Sequence, residues 1–282
     1  MAYEYESARD QNDLMDIAHR ILPRQDFLKI PGDDTRIDDQ VEQCADANIN
    51  FITYGESAYP YKLENAIGSQ TPPILSLYGN EKLINETGVG FCGSRKASEK
   101  GIGVALDCAQ QLARYGLVII AGHAAGVDAA AHAAALKEGG ATIFVAPEGI
   151  LRFQLRKEVK EFINWERALV ISEFAPGMRW AAHNAMTRNK TIIGLSAAMI
   201  VIEAGLKGGT IEAGLAALEM RHPVYAPVYD GAVGGGNNIL IEKGVKRIFK
   251  SRSTQKADLS HLLSDVHNFK RDVHPASQER LF

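Results

Sequence analysis

The run from Gly88 to His132 limits what this chain can fold into more than any other stretch. It opens GVGFCGSRKASEKGIG and closes LVIIAGHAAGVDAAAH. Gly88 to Cys92 and Leu117 to Ala121 are apolar and too short for helices, and each stops at a glycine turn. The first turn is Gly93-Ser94-Arg95, followed by a helix to about Tyr115. The second runs from Gly122 to Gly126, followed by a helix over Val127 to Lys137. Strand, glycine turn and helix, twice over, predict the βαβ unit of a parallel sheet. The chemistry of such a unit lies in its turns, where the first helical N–H groups are unpaired and the dipole is positive. Arg95 and Lys96 add full charges there, a combination that suits a phosphate of a nucleotide or of a nucleic-acid backbone.

The pattern continues towards the C-terminus. Strands are predicted at Ala141–Ala146, Ala168–Phe174, Ala198–Ala204 and Pro223–Val228, and helices at Leu151–Trp165 and Ile239–Lys243. His183 to Ser196 lies between the second and third of these strands, and a glycine-turned helix follows Gly205. This alternation predicts an α/β fold with a doubly wound, mostly parallel sheet, and ligands of such sheets bind beyond the carboxyl ends of the strands. GSRK, AGHAAG, MTRNK and KGGT all arrive at that edge. The corresponding site residues are Gly93, Ser94, Arg95, Lys96, Gly122, Gly126, Arg188, Asn189, Lys190, Gly208, Gly209 and Thr210. Lys207 and Arg221 are weaker candidates.

Before the core, helical spacing covers Ala8–Leu22 and Val41–Asn48, and Asn50–Tyr54 reads as a short strand. Pro72-Pro73 forbids a helix, and Ile74–Tyr78 reads as an added strand. These features predict a helical and loop appendage over residues 1–71, a core over 72–250 and a polar tail over 251–282, the tail too poor in apolar residues to fold by itself. With 46% apolar residues and 26 glycines among 282, the chain is a glycine-turned globular protein and not a disordered one. The net charge of −3 argues against indiscriminate nucleic-acid binding but leaves room for a local basic groove. No stretch is apolar enough to span a bilayer, the N-terminus lacks a secretory pattern, and Cys44, Cys92 and Cys108 lack metal-ligand spacing. The expectation is a cytoplasmic protein with reduced thiols, no metal and no cofactor.

In order and spacing, YPYKL with PPILSLYGN, GFCGSRKASEKG, AGHAAGVDAAAHAAAL, ISEFAPG, TRNKTIIGLS and AMIVIEA resemble the DNA-processing protein A family (DprA, also called Smf). The resemblance runs from about Val41 to Val245. It implies an extended Rossmann-like fold without nucleotide hydrolysis and binding of single-stranded DNA. It also implies a homodimer, and loading of a RecA-type recombinase in DNA processing and natural transformation. The chain departs from the family in three places. AMTRNKTIIGLS stands where the family has FPRRNRIIAGLS, GGTIEA stands where it has SGSLITA, and the usual winged-helix-like extension is not seen. MTRNK and GGTIEA are also similar to paired motifs of LOG-type phosphoribohydrolases. That resemblance implies an alternative, cleavage of nucleoside monophosphates by Arg188 and Glu212, or a nucleotide-sensing module. The ordered motifs favour binding over turnover.

Asp128 and His132 are four residues apart in GVDAAAH, where a metal or acid–base pair competes with a buried Asp–His hydrogen bond or a helix cap; the latter two are the expectation. Trp165, Trp180, Tyr225 and Tyr229 are possible base-stacking residues, and none is singled out.

Overall fold

The computed structural model describes residues 34–229 and 235–273. The expected helix Ala8–Leu22 and the start of the loop after Tyr229 lie outside the described residues.

Among the described residues, nine strands form one sheet: β1 Asn50–Thr53, β2 Ile74–Gly79, β3 Gly88–Gly93, β4 Val118–Ala121, β5 Thr142–Ala146, β6 Ala168–Ser172, β7 Ala198–Ile202, β8 Val224–Pro227 and β9 Lys246–Ile248. The helices are α1 Asp34–Asp46, α2 Tyr61–Ile67, α3 Glu99–Arg114, α4 Val127–Lys137, α5 Lys157–Lys160, α6 Ala182–Leu195, α7 Gly209–Glu219, α8 Gly235–Glu242 and α9 Ser260–Val273. The strand order is β1-β2-β6-β5-β4-β3-β7-β8-β9. From β6 to β9 every pairing is parallel, while β1 and β2 add an antiparallel edge. This is the doubly wound α/β sheet that the glycine-turn pattern predicts.

The chain winds outward from β3 to β6, then crosses back to place β7 on the other side of β3. The switch point therefore lies between β3 and β7, whose register runs from Val89 opposite Ala198 to Gly93 opposite Ile202. A crevice opens beyond the carboxyl ends of two such strands, because their following loops leave in opposite directions.

Strand residues alternate between two cores, as the pleat requires. Ile120, Ile143, Val145, Met199 and Val201 face α2, α6, α7 and α8 through Leu63, Ile193, Ile211 and Leu240. Phe91, Ile119, Ile200 and Ile202 face α3, α4 and α9 through Leu112, Val127 and Leu262. Both faces are covered, so these strands read as continuous apolar runs.

Three placements differ from the sequence expectations. First, β1 pairs with β2, so the sheet begins at Asn50 and not near Pro72. The YPYKL segment serves this edge: the Tyr59 hydroxyl donates to Pro72 O at 2.5 Å and Lys62 Nζ donates to Glu86 O at 2.6 Å. Burial pushes the Lys62 ammonium down to about 8. Second, Leu151–Trp165 is not one helix. A short 3₁₀ turn at Ile150–Arg152 gives way to extended chain and then to the single turn of α5. The Arg156 N–H donates to His123 Nε2 at 3.1 Å, and Arg156 Nε donates to His123 O at 2.8 Å, pinning the segment to the turn after β4. Third, the stretch read as a tail carries α9. Leu259, Leu262 and Val266 enter the α3–α4 core, and Ala257 N donates to Asp107 at 2.6 Å. Few apolar residues suffice here because they complete a core that already exists.

Candidate functional site

The turns after β3, β4 and β7 meet at the switch-point crevice. Gly93 has no room for a side chain, because a Cβ there would overlap Val127 and Ile202 O. The turn after β3 is thereby held against α4 and β7. Ser94 N donates to Ile202 O at 3.4 Å, and Ser94 O accepts from Val127 N at 3.3 Å. Gly126, at φ +77°, lets its own turn lie on the Ser94 and Arg95 carbonyls. Ser94 Oγ accepts from Lys96 N at 3.1 Å, which fixes the turn and leaves the Arg95 and Lys96 side chains exposed. The Arg95 guanidinium lies 5.5 Å over the Trp180 ring.

The sequence expectation placed an anion on the helix that follows this turn. The structure corrects it. Helix α3 starts only at Glu99, and its N-terminus is filled from within the chain. Ser98 Oγ accepts from Gly101 N at 3.1 Å. The Glu203 carboxylate accepts from Ser98 N at 2.9 and 3.0 Å and from Ser98 Oγ at 2.6 Å. Glu203 holds φ +54° at the end of β7, so the backbone itself bends to deliver this carboxylate. The N-terminus of α7 differs. Its capping residue Gly208, at φ +102°, supplies no side-chain hydrogen bond, and Gly208 and Gly209 are exposed beside Lys207. Of these two helix ends, the start of α7 is the exposed one, with no side-chain cap at Gly208.

MTRNK is divided by helical geometry. Successive residues of α6 are about 100° apart, so Arg188 faces the sheet while Asn189 and Lys190 face away. Arg188 is 5% exposed. Its guanidinium fills the space over Gly122 where any side chain would sit. Asp128, Glu148 and Glu173 are near enough to act on its charge, but no hydrogen bond or ion pair joins it to them among the described residues, and its Nε is buried with no partner there. Burial pushes the Arg188 guanidinium down, opposed by these three acids. Burial pushes all three carboxyls up, opposed by Arg188. Asn189 and Lys190 line a shallow groove between α6 and α7 with Met186 and Glu212, and Lys190 Nζ donates to Gln70 at 2.6 Å. Arg188 does not line that groove, so the groove does not bring together the two candidate catalytic residues of the hydrolase reading, Arg188 and Glu212.

Asp128 and His132 do not bond to each other. Asp128 accepts from Gly122 N at 3.2 Å and Ala124 N at 3.1 Å, closing the turn that makes room for Arg188. The Thr142 hydroxyl donates to Ile119 O at 2.7 Å, so His132 Nδ1, 2.6 Å from Thr142 Oγ1, is the donor in that contact. Burial holds His132 well below its ordinary value and His123 down at about 4, leaving both neutral near pH 7. Among the described residues no cluster of three or more His, Cys, Asp or Glu is arranged to hold a metal ion.

Of the residues not singled out from sequence, Glu203, Trp180 and Asn237 matter most. Asn237 is buried at the start of α8. Its Oδ1 accepts from Ala204 N at 2.8 Å and its Nδ2 donates to Pro227 O at 3.1 Å, tying the carboxyl ends of β7 and β8. The signal for Trp180 was an aromatic in a polar loop directly after a parallel strand. No local pattern distinguishes Glu203 from any acid at a strand end.

Residues 50–259 match the family described as DNA recombination-mediator protein A. The chain is similar to the DNA processing protein DprA of Streptococcus pneumoniae, 33% identical over 199 residues that cover 68% of each protein. It is also similar to that of Bacillus subtilis, 28% identical over 72% of this chain and 69% of the relative. The X-ray structure of the Streptococcus pneumoniae protein superposes with a TM-score of 0.67 at 28% identity, over 85% of this chain and 79% of the other. DNA processing protein A of Helicobacter pylori, solved for its single-stranded DNA binding mode, shares the fold with a TM-score of 0.62 at 24% identity, over 79% of this chain and 96% of the other.

Proposed function

This chain belongs to the DNA recombination-mediator protein A family, and from that premise we propose that it binds single-stranded DNA along the carboxyl edge of its sheet. It acts by binding and not by turnover, as a homodimer that delivers the strand to a RecA-type recombinase. The observation that carries the binding reading is that two phosphate-suited features follow the carboxyl ends of the two switch-point strands: the exposed Arg95–Lys96 turn after β3 and the exposed, uncapped start of α7 with Lys207 after β7. Positive side chains and free N–H groups meet a sugar–phosphate backbone without reading base edges, so binding is sequence-tolerant. Arg188 lies beneath them as a fixed charge that offsets Asp128, Glu148 and Glu173, which would otherwise repel the strand.

Titration of the protein with single-stranded DNA, duplex DNA and mononucleotides in one buffer tests the reading. Tight binding of the single strand is expected, with weak binding of the other two; equal affinity for mononucleotide and strand would refute it. Arg95→Ala should weaken single-strand binding by about 1–3 kcal/mol if the contact is a charge-assisted hydrogen bond. The melting temperature should hold, because the side chain is exposed. An unchanged affinity would remove Arg95 from the interface.

Salt gives an independent measure. Each phosphate contact on a single strand contributes a slope of about −0.7 to the plot of log K against log salt. Arg95, Lys96 and Lys207 together should give about −2 per protomer, and about −4 if two protomers hold one strand. A flat response would mean that these residues do not meet a polyanion.

A further inference from the structure

Trp180 stands in the loop between β6 and α6 and is 51% exposed. Nine large apolar side chains are exposed among the described residues, and five of them, Met178, Trp180, Met186, Leu206 and Val228, follow the carboxyl ends of β6, β7 and β8. Apolar surface is thus gathered on the edge that also carries the Arg95–Lys96 turn. Trp180 is the aromatic member of the group, and the Arg95 guanidinium lies 5.5 Å over its ring. The cation holds the ring in place by attraction to its π-face. The ring nevertheless stays half exposed, so part of its flat apolar surface is open to a ligand.

We propose that Trp180 is a stacking platform for an unpaired nucleobase, with Arg95 on the phosphate beside that base; this rests on the reading of the site as a single-stranded DNA interface. A duplex has its base faces already stacked on one another and presents none to the ring. A single strand presents a π-face whatever its sequence. The pair therefore contributes the discrimination between single and double strands that phosphate contacts by themselves do not supply. In the sequence Trp180 stands shortly before Ala185-Met186, the place where the family has its aromatic-proline pair.

Two strands of equal charge separate the contributions: an oligodeoxythymidine, and an abasic oligomer of the same length. Trp180→Ala should weaken binding of the oligodeoxythymidine by roughly 5- to 150-fold, the range of a lost base–aromatic stack. It should leave binding of the abasic oligomer and the melting temperature unchanged. Trp180→Phe should retain most of the affinity. The chain has two tryptophans, and the other, Trp165, sits against Tyr78 with ring centroids 4.6 Å apart. In a Trp165→Phe protein, Trp180 fluorescence should be quenched by the oligodeoxythymidine and not by the abasic oligomer.

An equal loss on both strands would overturn the platform and make Trp180 a support for Arg95. Unchanged affinity in Trp180→Ala would overturn it as well, while leaving the single-strand reading intact. A wild-type protein that binds neither strand would remove that reading and the platform together.

Discussion

Arg188→Met is expected to be among the most damaging single substitutions in this protein, and damaging in proportion to pH. Methionine keeps an apolar stem of similar length, so the loss is chiefly that of the charge. Asp128, which is buried, and Glu148 and Glu173, which are half-buried, then lose the cation whose charge acts on all three. Removing one partner of a buried contacting pair costs about 3–5 kcal/mol, and about 3 kcal/mol is the upper end expected here, where the carboxyls are not in direct contact with the guanidinium. The sign with pH follows from the carboxyls. Their folded pKa values are already raised by burial, and loss of Arg188 raises them further. A carboxyl with a raised folded pKa destabilises the fold where it must ionise and not where it is protonated. The deficit should be largest near pH 8 and should narrow as the pH falls through the raised folded values towards the ordinary carboxyl range. Urea melts of wild type and variant at pH 8 and pH 5 measure it. An equal deficit at both would mean that the three acids do not feel Arg188, and its place would then be one of packing against Gly122.

The second large effect concerns a residue with no charge. Asn237→Leu is nearly isosteric, yet it removes the oxygen that accepts from Ala204 N and the side-chain N–H that donates to Pro227 O. Each buried polar group left without a partner costs about 1–3 kcal/mol, so the substitution should cost roughly 2–6 kcal/mol. For a chain of this size that corresponds to about 2–4 °C in melting temperature per kcal/mol. Because Asn237 joins β7 to β8 at their carboxyl ends, the damage should be local as well as global. Amide exchange should quicken first at Ala204 and along β8. A melt within 1–2 °C of wild type would show that water replaces the amide without loss and that this tie is dispensable.

These two residues mark where sequence reading succeeds and where it stops. Arg188 was a candidate because it lies in a basic segment, and it is at the crevice. Its neighbours Asn189 and Lys190 had the same sequence claim and face the α6–α7 groove, since helical rotation divides adjacent positions. Asn237 lay in a glycine-rich loop in which nothing set it apart. The N-terminus of α3 was an anion site on local grounds until a carboxylate 105 residues away in sequence occupied it.

What the sequence determined by itself was the sheet and its edge. β3 to β8 are apolar runs of four to six residues that end in glycine, polar or proline turns, and such runs between helices admit one architecture. The order of the motifs carried the family, because each motif sits at a strand end that the fold places on one side. Only the tertiary structure decided which groups at that edge are available. Ser98 and Glu203 satisfy α3, Arg188 is buried over Gly122, β1 and α9 join the core from outside the expected bounds, and Arg95, Trp180 and the start of α7 remain exposed. The reason is physical. Apolar periodicity and turn chemistry act over a few neighbouring residues and leave their mark in the local sequence. Pairing of buried charges and N–H groups depends on partners brought close only by the crossing of the chain at the β3–β7 switch point.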